Sequence, residues 1–157
     1  AYGNAWFVDR LQYVDNANQE LDAIKQLDLR HEAVADGKFK AALGDAVKQE
    51  GTAIVSLDKY EPNELCYTVQ SPKGGVVVFS EIYYPGWTAT VDGKDVEVGR
   101  VNYVLRAINV KPGEHKVVLT FKPASVKNTE TAAYAAYLLL ALAIIGGVVF
   151  EMKRKKE

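Results

Sequence analysis

The sequence predicts a mainly β protein: an antiparallel β-sandwich of the jelly-roll or immunoglobulin-like kind, with a short N-terminal helix and one C-terminal transmembrane helix. Two observations lead to this prediction. Between residues 52 and 123, apolar and polar side chains alternate in short runs separated by turn residues, which is typical of strands that bury one face. Residues 131–150 carry no charged side chain, and a basic tail follows them. A small open barrel is the alternative for the β part.

The N-terminal part predicts an extended segment, a helix and a brief strand. Residues 5–14 are rich in aromatic and β-branched side chains, which favour extended structure. Asn16 is a good helix N-cap, and Gln19 three positions later resembles a capping box, so we expect a short helix through residue 28. A brief strand at residues 31–35 follows.

Residues 36–50 show no clear period. Alanine, leucine and valine favour a helical turn or two, but glycine at positions 37, 44 and 51 interrupts any long element. We therefore expect a mobile connection. Together with it, residues 1–51 are interpreted as an N-terminal α/β segment that leads into a β-sandwich core at residues 52–123.

The core region predicts a series of antiparallel strands joined by tight turns. The continuous apolar start of residues 76–82 indicates a central strand covered on both faces. Asp92-Gly93 indicates a hairpin with a type I′ turn, which needs positive φ at both central residues. The predicted strands are 53–60, 65–71, 76–82, 87–91, 95–98, 101–108 and 115–122.

The C-terminal part is interpreted as a helix over residues 124–150 whose portion 131–150 spans a membrane. Twenty helical residues extend ~30 Å, the thickness of the hydrocarbon core of a bilayer. The tail at 151–157 contains three lysines and one arginine, and basic flanks stay in the cytoplasm. We therefore expect residues 1–130 to be extracytoplasmic and the C-terminus to be cytoplasmic. A buried helix in a soluble core is the alternative.

The chain begins at Ala1 in apolar sequence, with no export signal before it. Since residues 1–130 are expected outside, we interpret the chain as the C-terminal part of a larger protein with earlier membrane spans. A cleaved signal peptide is the alternative.

Composition argues against several functional classes. The chain has 19 basic and 20 acidic residues, so nothing in its charge favours nucleic acid. The two histidines, His31 and His115, have no carboxylate at ligand spacing, and the single cysteine, Cys66, lies in an apolar alternating run. We predict no metal site, no cofactor and no catalytic residue in this chain.

The segment Tyr83-Tyr84-Pro85-Gly86-Trp87 is the distinctive local motif. Aromatic rings around a Pro-Gly turn can stack on the apolar face of a sugar, so Tyr83, Tyr84 and Trp87 are candidate glycan-facing residues. The alternative is structural: Trp87 fills the sandwich core and one of the tyrosines covers its edge.

Small residues recur along the predicted span at spacings of four and seven, which places them on one stripe of a helix. Such stripes let helices pack closely in lipid, so we predict contact with another transmembrane helix. Simple tolerance of alanine and glycine in a span is the alternative. The candidate positions are Ala132, Ala136, Ala143 and Gly147.

Four motifs and the terminal span give the chain a likeness that covers nearly its whole length. Together they resemble the C-terminal region of the bacterial YfhO family, in a version similar to those of the Bacteroidetes branch. The motifs are Gly3–Val8, Tyr60–Asn63, Val78–Trp87 and Val91–Lys94, followed by the basic-tailed span.

The resemblance implies a polytopic protein of the bacterial inner membrane, similar to C-type glycosyltransferases that use a polyprenyl-phosphate sugar donor. In that family architecture the catalytic carboxylate lies in an early extracytoplasmic loop, and no residue here corresponds to it. The chain is then expected to be an accessory, non-catalytic outer domain with the last transmembrane helix. Its expected partners are the lipid bilayer, the other helices of the parent protein, and a lipid-linked sugar or envelope glycan. The alternative is a stand-alone membrane-anchored module that binds carbohydrate or protein.

Overall fold

A computed structural model describes residues 3–123 and 133–147. By its contacts the chain divides into two compact units, Ala1–Lys122 and Pro123–Glu157. The first unit contains all the strands of the described residues. The second contains a helix over residues 133–147.

The first unit runs from a mixed α/β N-terminal part into a strand-rich remainder. A 3₁₀ turn at Gly37–Phe39 precedes a second short helix. The elements are β1 (Ala5–Phe7), β2 (Arg10–Val14), α1 (Ala17–Ile24), β3 (Glu32–Asp36), α2 (Lys40–Leu43), β4 (Ile54–Glu61), β5 (Glu64–Ser71), β6 (Gly75–Ile82), β7 (Trp87–Val91), β8 (Lys94–Val96), β9 (Gly99–Val101), β10 (Leu105–Val110) and β11 (Gly113–Phe121).

Most strands belong to two antiparallel sheets, which confirms the mainly β prediction. One sheet has the order β1-β6-β10-β9 and the other has the order β4-β5-β11-β7-β8. A third, two-stranded sheet pairs β2 with β3 in parallel. The sequence analysis did not anticipate the parallel pair, although α1 between the two strands is the kind of crossover that parallel neighbours need.

The two larger sheets share a hydrophobic core. Tyr67 on β5 and Phe79 on β6 meet edge to face, with ring centroids 4.9 Å apart. This first core buries residues from both sheets, so each sheet covers one face of the other. Its buried members are Leu65, Tyr67, Val69, Val77, Phe79, Ala89, Ile108, Val110, Val117 and Leu119. The jelly-roll or immunoglobulin-like type stays a prediction.

A second core lies on the other face of the four-stranded sheet, where the N-terminal segment covers it. Val77 and Phe79 of β6 belong to the first core, whereas Val76 and Val78 belong to the second, since successive side chains of a strand point to opposite faces. The strand predicted at 76–82 as covered on both faces is buried on both over residues 76–79, whereas Ser80 and Ile82 are exposed. The members of the second core are Val8, Ala33, Ala35, Phe39, Leu43, Val76, Val78, Val101 and Ala107.

The segment 36–50, expected to be a mobile connection, is packed over its first half. Phe39 and Leu43 are buried in the second core. Asn109 adds a hydrogen bond from Nδ2 to the carbonyl oxygen of Leu43, at 2.5 Å. Because this segment is rich in alanine and glycine, its sequence shows no hydrophobic period from which an element could be predicted. Two large apolar side chains and tertiary contacts order it instead.

The single strand predicted at 101–108 is wrong, because a tight hairpin interrupts it. β9 and β10 pair antiparallel, with Val101 opposite Leu105. Asn102 and Tyr103 take positive φ angles of 49° and 69°. Asn102 also exchanges hydrogen bonds with the backbone of Val34, donating from its amide and accepting at Oδ1. The alternation of apolar and polar residues continues through the turn, so the sequence pattern could not reveal a turn that is held by a long-range contact with Val34.

Helix α1 starts where the capping signal placed it and ends four residues earlier than predicted. The Asn16 side chain accepts from the amides of Asn18 and Gln19. The Gln19 side chain bonds the amide of Asp15, one residue before the usual capping-box partner.

The helix of the second unit covers residues 133–147. Within the described ranges, 3–123 and 133–147, no helix has both the length and the apolar character to span a membrane. The remaining positions of the predicted 131–150 span, and the whole basic tail, lie outside the described residues.

Candidate functional site

The aromatic motif forms the connection between the two sheets. The turn at residues 83–86 joins β6 of the four-stranded sheet to β7 of the five-stranded sheet. Gly86 has a φ of 103°, which an L side chain rarely adopts, so glycine is needed here. The amide of Lys122 donates to the Gly86 carbonyl at 2.7 Å. The end of β11 thereby holds the turn in place.

The turn brings the three candidate aromatics together, but their surroundings differ. The Tyr83 ring meets Phe39 edge to face at 5.7 Å and packs on the second core. Trp87 packs on the first core, with its ring 5.3 Å from Phe121. Tyr84 is 61% exposed and lies 6.2 Å from the Phe121 ring. Of the three, Tyr84 is the ring with the most surface open to a ligand.

A cleft of about 490 Å³ opens beside this turn. Asp95 and Glu97 contribute exposed carboxylates and Lys122 contributes an ammonium group, so hydrogen-bond acceptors and donors accompany the rings. A cleft with an aromatic wall and a few polar groups is typical of small-molecule sites. The residues that define this aromatic cleft are Tyr83, Tyr84, Trp87, Asp95, Glu97 and Lys122.

A buried arginine supports the aromatic cleft from behind. Arg106 is 2% exposed, and its guanidinium lies 4.0 Å from the centre of the Trp87 ring. One nitrogen, Nη2, lies 3.5 Å from Oε2 of Glu81. Within the described part of the chain, Nε and Nη1 have no hydrogen-bond partner, and neither has the hydroxyl of Tyr67. Burial lowers the pKa of Arg106 and raises that of Tyr67 to about 12.

The fold also forms a second, larger cleft, of about 640 Å³, that the sequence analysis missed. His31 lies in it, and Nδ1 of its ring is 2.9 Å from Oδ2 of Asp9. The sequence analysis found no carboxylate at ligand spacing from His31 and did not identify Asp9 as its partner, because Asp9 is 22 positions away. Asp9 and His31 immediately precede β2 and β3, so the parallel pairing of these strands brings the two residues together.

The other candidate chemistries find little in the described residues. No group of three or more histidine, cysteine or acidic side chains that could hold a metal occurs among them. Cys66 is buried, and burial raises the pKa of its thiol. Of the predicted small-residue stripe, Ala136, Ala143 and Gly147 lie in the helix over 133–147, and Ala132 lies outside the described residues.

Comparison with known proteins gives one family. A family model described as bacterial membrane protein YfhO matches residues 20–129, most of the chain. The match includes all the residues of the aromatic cleft and His31, whereas Asp9 precedes it. No curated protein and no solved structure matches the chain.

Proposed function

Because the chain belongs to the family of the bacterial membrane protein YfhO, we propose that it is the C-terminal outer domain and last transmembrane helix of such a protein. Residues 1–130 lie on the extracytoplasmic side of the inner membrane, and the tail at 151–157 lies in the cytoplasm. The uncharged run 131–150 and the basic residues behind it support this orientation. The outer domain comprises an N-terminal segment, 1–51, and a β-sandwich core, 52–123.

The proposed role is accessory: the domain holds an envelope glycan for a polyprenyl-phosphate-sugar-dependent glycosyltransferase without performing the chemistry. The observation that carries this proposal is the aromatic cleft. The exposed Tyr84 ring offers an apolar face to a pyranose, while Asp95 and Glu97 accept hydrogen bonds from sugar hydroxyls. The donor-handling machinery belongs to other parts of the parent protein.

The same proposal gives the C-terminal helix a structural role. Ala136, Ala143 and Gly147 recur at spacings of seven and four, so they share one stripe of the helix. Small side chains let a neighbouring helix approach closely in lipid. The neighbour is another transmembrane helix of the parent protein.

The glycan role is tested with two exposed tyrosines. Tyr84 is 61% exposed and lines the cleft, whereas Tyr60 is 62% exposed on β4 and does not line it. In the intact parent protein we expect Tyr84→Ala to lower glycan transfer and binding to an envelope-glycan array about tenfold, which corresponds to a loss of about 1.4 kcal/mol for one stacked ring. Tyr60→Ala is the matched control. Equal activity of the two variants, with normal folding, contradicts the proposal.

Orientation is tested with a membrane-impermeant maleimide on intact cells. We expect Lys73→Cys, at an exposed turn of the β domain, to react, and Lys155→Cys in the tail to react only after lysis. Replacing the buried Cys66 with alanine removes background labelling. Labelling of position 155 in intact cells overturns the orientation.

A stand-alone carbohydrate- or protein-binding module remains the second candidate, because every residue of the aromatic cleft belongs to the first unit. Glycan binding by the 157-residue chain, with no transferase activity lost when the chain is deleted from the cell, favours it.

A further inference from the structure

The larger cleft lies where the two antiparallel sheets present neighbouring edges. β1 is an edge strand of the four-stranded sheet and β4 is an edge strand of the five-stranded sheet, and the two lie close together. Phe7 of β1 and Val55 of β4 give the cleft apolar walls. Asp9, Arg30, His31 and Gln49 make its other end polar. The cleft thus has an apolar part and a hydrogen-bonding part.

The polar end is held in place by Asp9. Its Oδ1 accepts from the amide of Gln49 at 2.8 Å, and its Oδ2 lies 2.9 Å from Nδ1 of His31. The amide of Asp9 donates to the carbonyl of His31 at 2.7 Å. A carboxylate only accepts, so Nδ1 of His31 carries the hydrogen and the ring is fixed in that tautomer. Nε2 is then the ring nitrogen left for another partner.

The protein's other His–Asp pair shows what a fully engaged ring looks like. Nδ1 of His115 lies 2.7 Å from Oδ2 of Asp92, and Nε2 lies 3.3 Å from the Pro112 carbonyl. His115 lines neither cleft. No described residue bonds Nε2 of His31, which does line a cleft. The His115–Asp92 pair is a structural contact, whereas the His31–Asp9 pair leaves Nε2 available at a cleft.

A positively charged residue, Arg30, lines the same cleft as His31. The backbone amide of Arg30 is held by Oδ1 of Asp28, but its guanidinium has no hydrogen bond or ion pair to any described residue. Arg10 provides a contrast, because its guanidinium pairs with Glu32 at 3.0 Å. Both oxygens of Asp9 already accept hydrogen bonds, from His31 and from the Gln49 amide, so the Arg30 guanidinium is the charged group lining the cleft whose donors have no described partner.

We propose that this cleft binds an acidic saccharide. Arg30 pairs with its carboxylate or phosphate group, a geometry for which the guanidinium fork is well suited. Nε2 of His31, an acceptor in the neutral ring, takes a hydrogen bond from a neighbouring hydroxyl. The apolar side of the sugar ring faces Phe7 and Val55. That the ligand is a saccharide rests partly on the proposed function, whereas the anion site rests on Arg30 in the cleft.

The first test is calorimetry on the full 157-residue chain in nanodiscs, with glucuronate, glucose 1-phosphate, glucose and inorganic phosphate as probes. We expect the two acidic sugars to bind about tenfold more tightly than glucose, which lacks the charge-assisted pair. Arg30→Ala should remove that advantage. Arg10→Ala, which deletes an arginine outside the cleft, should keep it. Equal affinity for glucuronate and glucose, or an unchanged Arg30→Ala, overturns the proposal.

The second test separates ligand contact from structural support. In His31→Asn the amide nitrogen replaces Nδ1 as donor to Asp9, while Nε2 is lost. We expect a severalfold loss of affinity for glucuronate with an unchanged melting temperature, and no loss in His115→Asn. Loss in both variants, or in neither, contradicts the role of His31.

Failure here is distinct from failure of the proposed function. If inorganic phosphate binds as tightly as glucose 1-phosphate and Arg30→Ala abolishes both, the anion site stands and its saccharide ligand is overturned. The accessory glycan role is decided separately by Tyr84→Ala, since Tyr84 lines the other cleft.

Discussion

The Arg106 guanidinium stacks on Trp87, with its central carbon 4.0 Å from the ring centre, at the end of the core shared by the two larger sheets. This contact takes the place of ordinary hydrogen bonds, because Nε and Nη1 have none within the described residues and Glu81 approaches only to 3.5 Å. A buried cation over a partly buried indole gains from the ring quadrupole, but it loses hydration that the protein only partly replaces.

We expect Arg106→Met to be as stable as the wild type, within about 1 kcal/mol, or more stable, because methionine fills the space without a buried charge. Arg106→Lys should lose about 2 kcal/mol, because an ammonium group is more strongly hydrated and lacks the planar stack. Urea unfolding followed by tryptophan fluorescence measures both. A lysine variant as stable as the wild type rules out the stacked guanidinium as the reason for arginine here.

Glu20 and Arg100 connect helix α1 to the β9–β10 hairpin through a buried ion pair. Glu20 is 0% exposed, its Oε2 lies 2.8 Å from Nη2 of Arg100, and its Oε1 accepts from the amide of Tyr103 at 2.8 Å. We expect Arg100→Ala to cost about 3 kcal/mol, since it leaves the buried Glu20 carboxylate without its cation, and Glu20→Ala to cost less, since the Arg100 side chain is 19% exposed. The double variant should cost much less than the sum.

The exposed pair Asp22–Lys25 at the C-terminal end of the same helix is the control for this double-mutant cycle. Its coupling energy should be about 0.3 kcal/mol. Additive losses at Glu20 and Arg100, measured by chemical denaturation, contradict a direct interaction between them.

The strand-rich half of the fold could be read from the sequence because local signals and tertiary contacts agree there. Asp92 and Gly93 have φ angles of 51° and 76°, as the type I′ hairpin signal requires. β7 runs over the predicted residues 87–91. Where the period and the turn residues are both clear, the element and its partner follow from the chain itself.

Long-range contacts account for what the sequence missed. Asn102 and Tyr103 turn the chain because Val34, 68 positions from Asn102, holds the asparagine side chain. The Asp9–His31 pair depends on a parallel strand pair with a helical crossover, which no spacing rule reveals. At the aromatic turn, the sequence identified the residues but could not tell that Tyr83 and Trp87 pack on opposite cores.

Two glycines with similar backbone angles should respond differently to alanine. Gly93 has a φ of 76°, and the space that an added Cβ would occupy there is open, so Gly93→Ala should cost about 1 kcal/mol of backbone strain. At Gly74, where φ is 68°, a Cβ would fall 2.5 Å from the Val110 carbonyl oxygen. We expect Gly74→Ala to cost about 3 kcal/mol, since backbone must move as well. Equal melting temperatures for the two variants refute the close approach at Gly74.

The His115–Asp92 pair makes stability depend on pH in a predictable direction. The hydrogen bond between them raises the pKa of His115 and lowers the pKa of Asp92. Because the pKa of His115 is higher in the folded state, the pair contributes its full stability below the unfolded histidine pKa of about 6.5. This contribution is lost as the pH rises through the folded pKa. Because the pKa of Asp92 is lower in the folded state, its contribution to stability is fully present above the unfolded aspartate pKa of about 3.9. That contribution is lost as the pH falls through the folded pKa.

Asp92→Asn removes the negative charge of Asp92 and leaves the turn intact, because asparagine tolerates the positive φ of 51° and keeps an oxygen for the amide of Lys116. We expect the melting temperature of the wild type to exceed that of Asp92→Asn most between about pH 4.5 and 6.5, and the difference to shrink by about pH 9. Calorimetric melting of both proteins across this range measures the difference. A gap that is constant, or that widens toward alkaline pH, contradicts a charged pair at this hairpin.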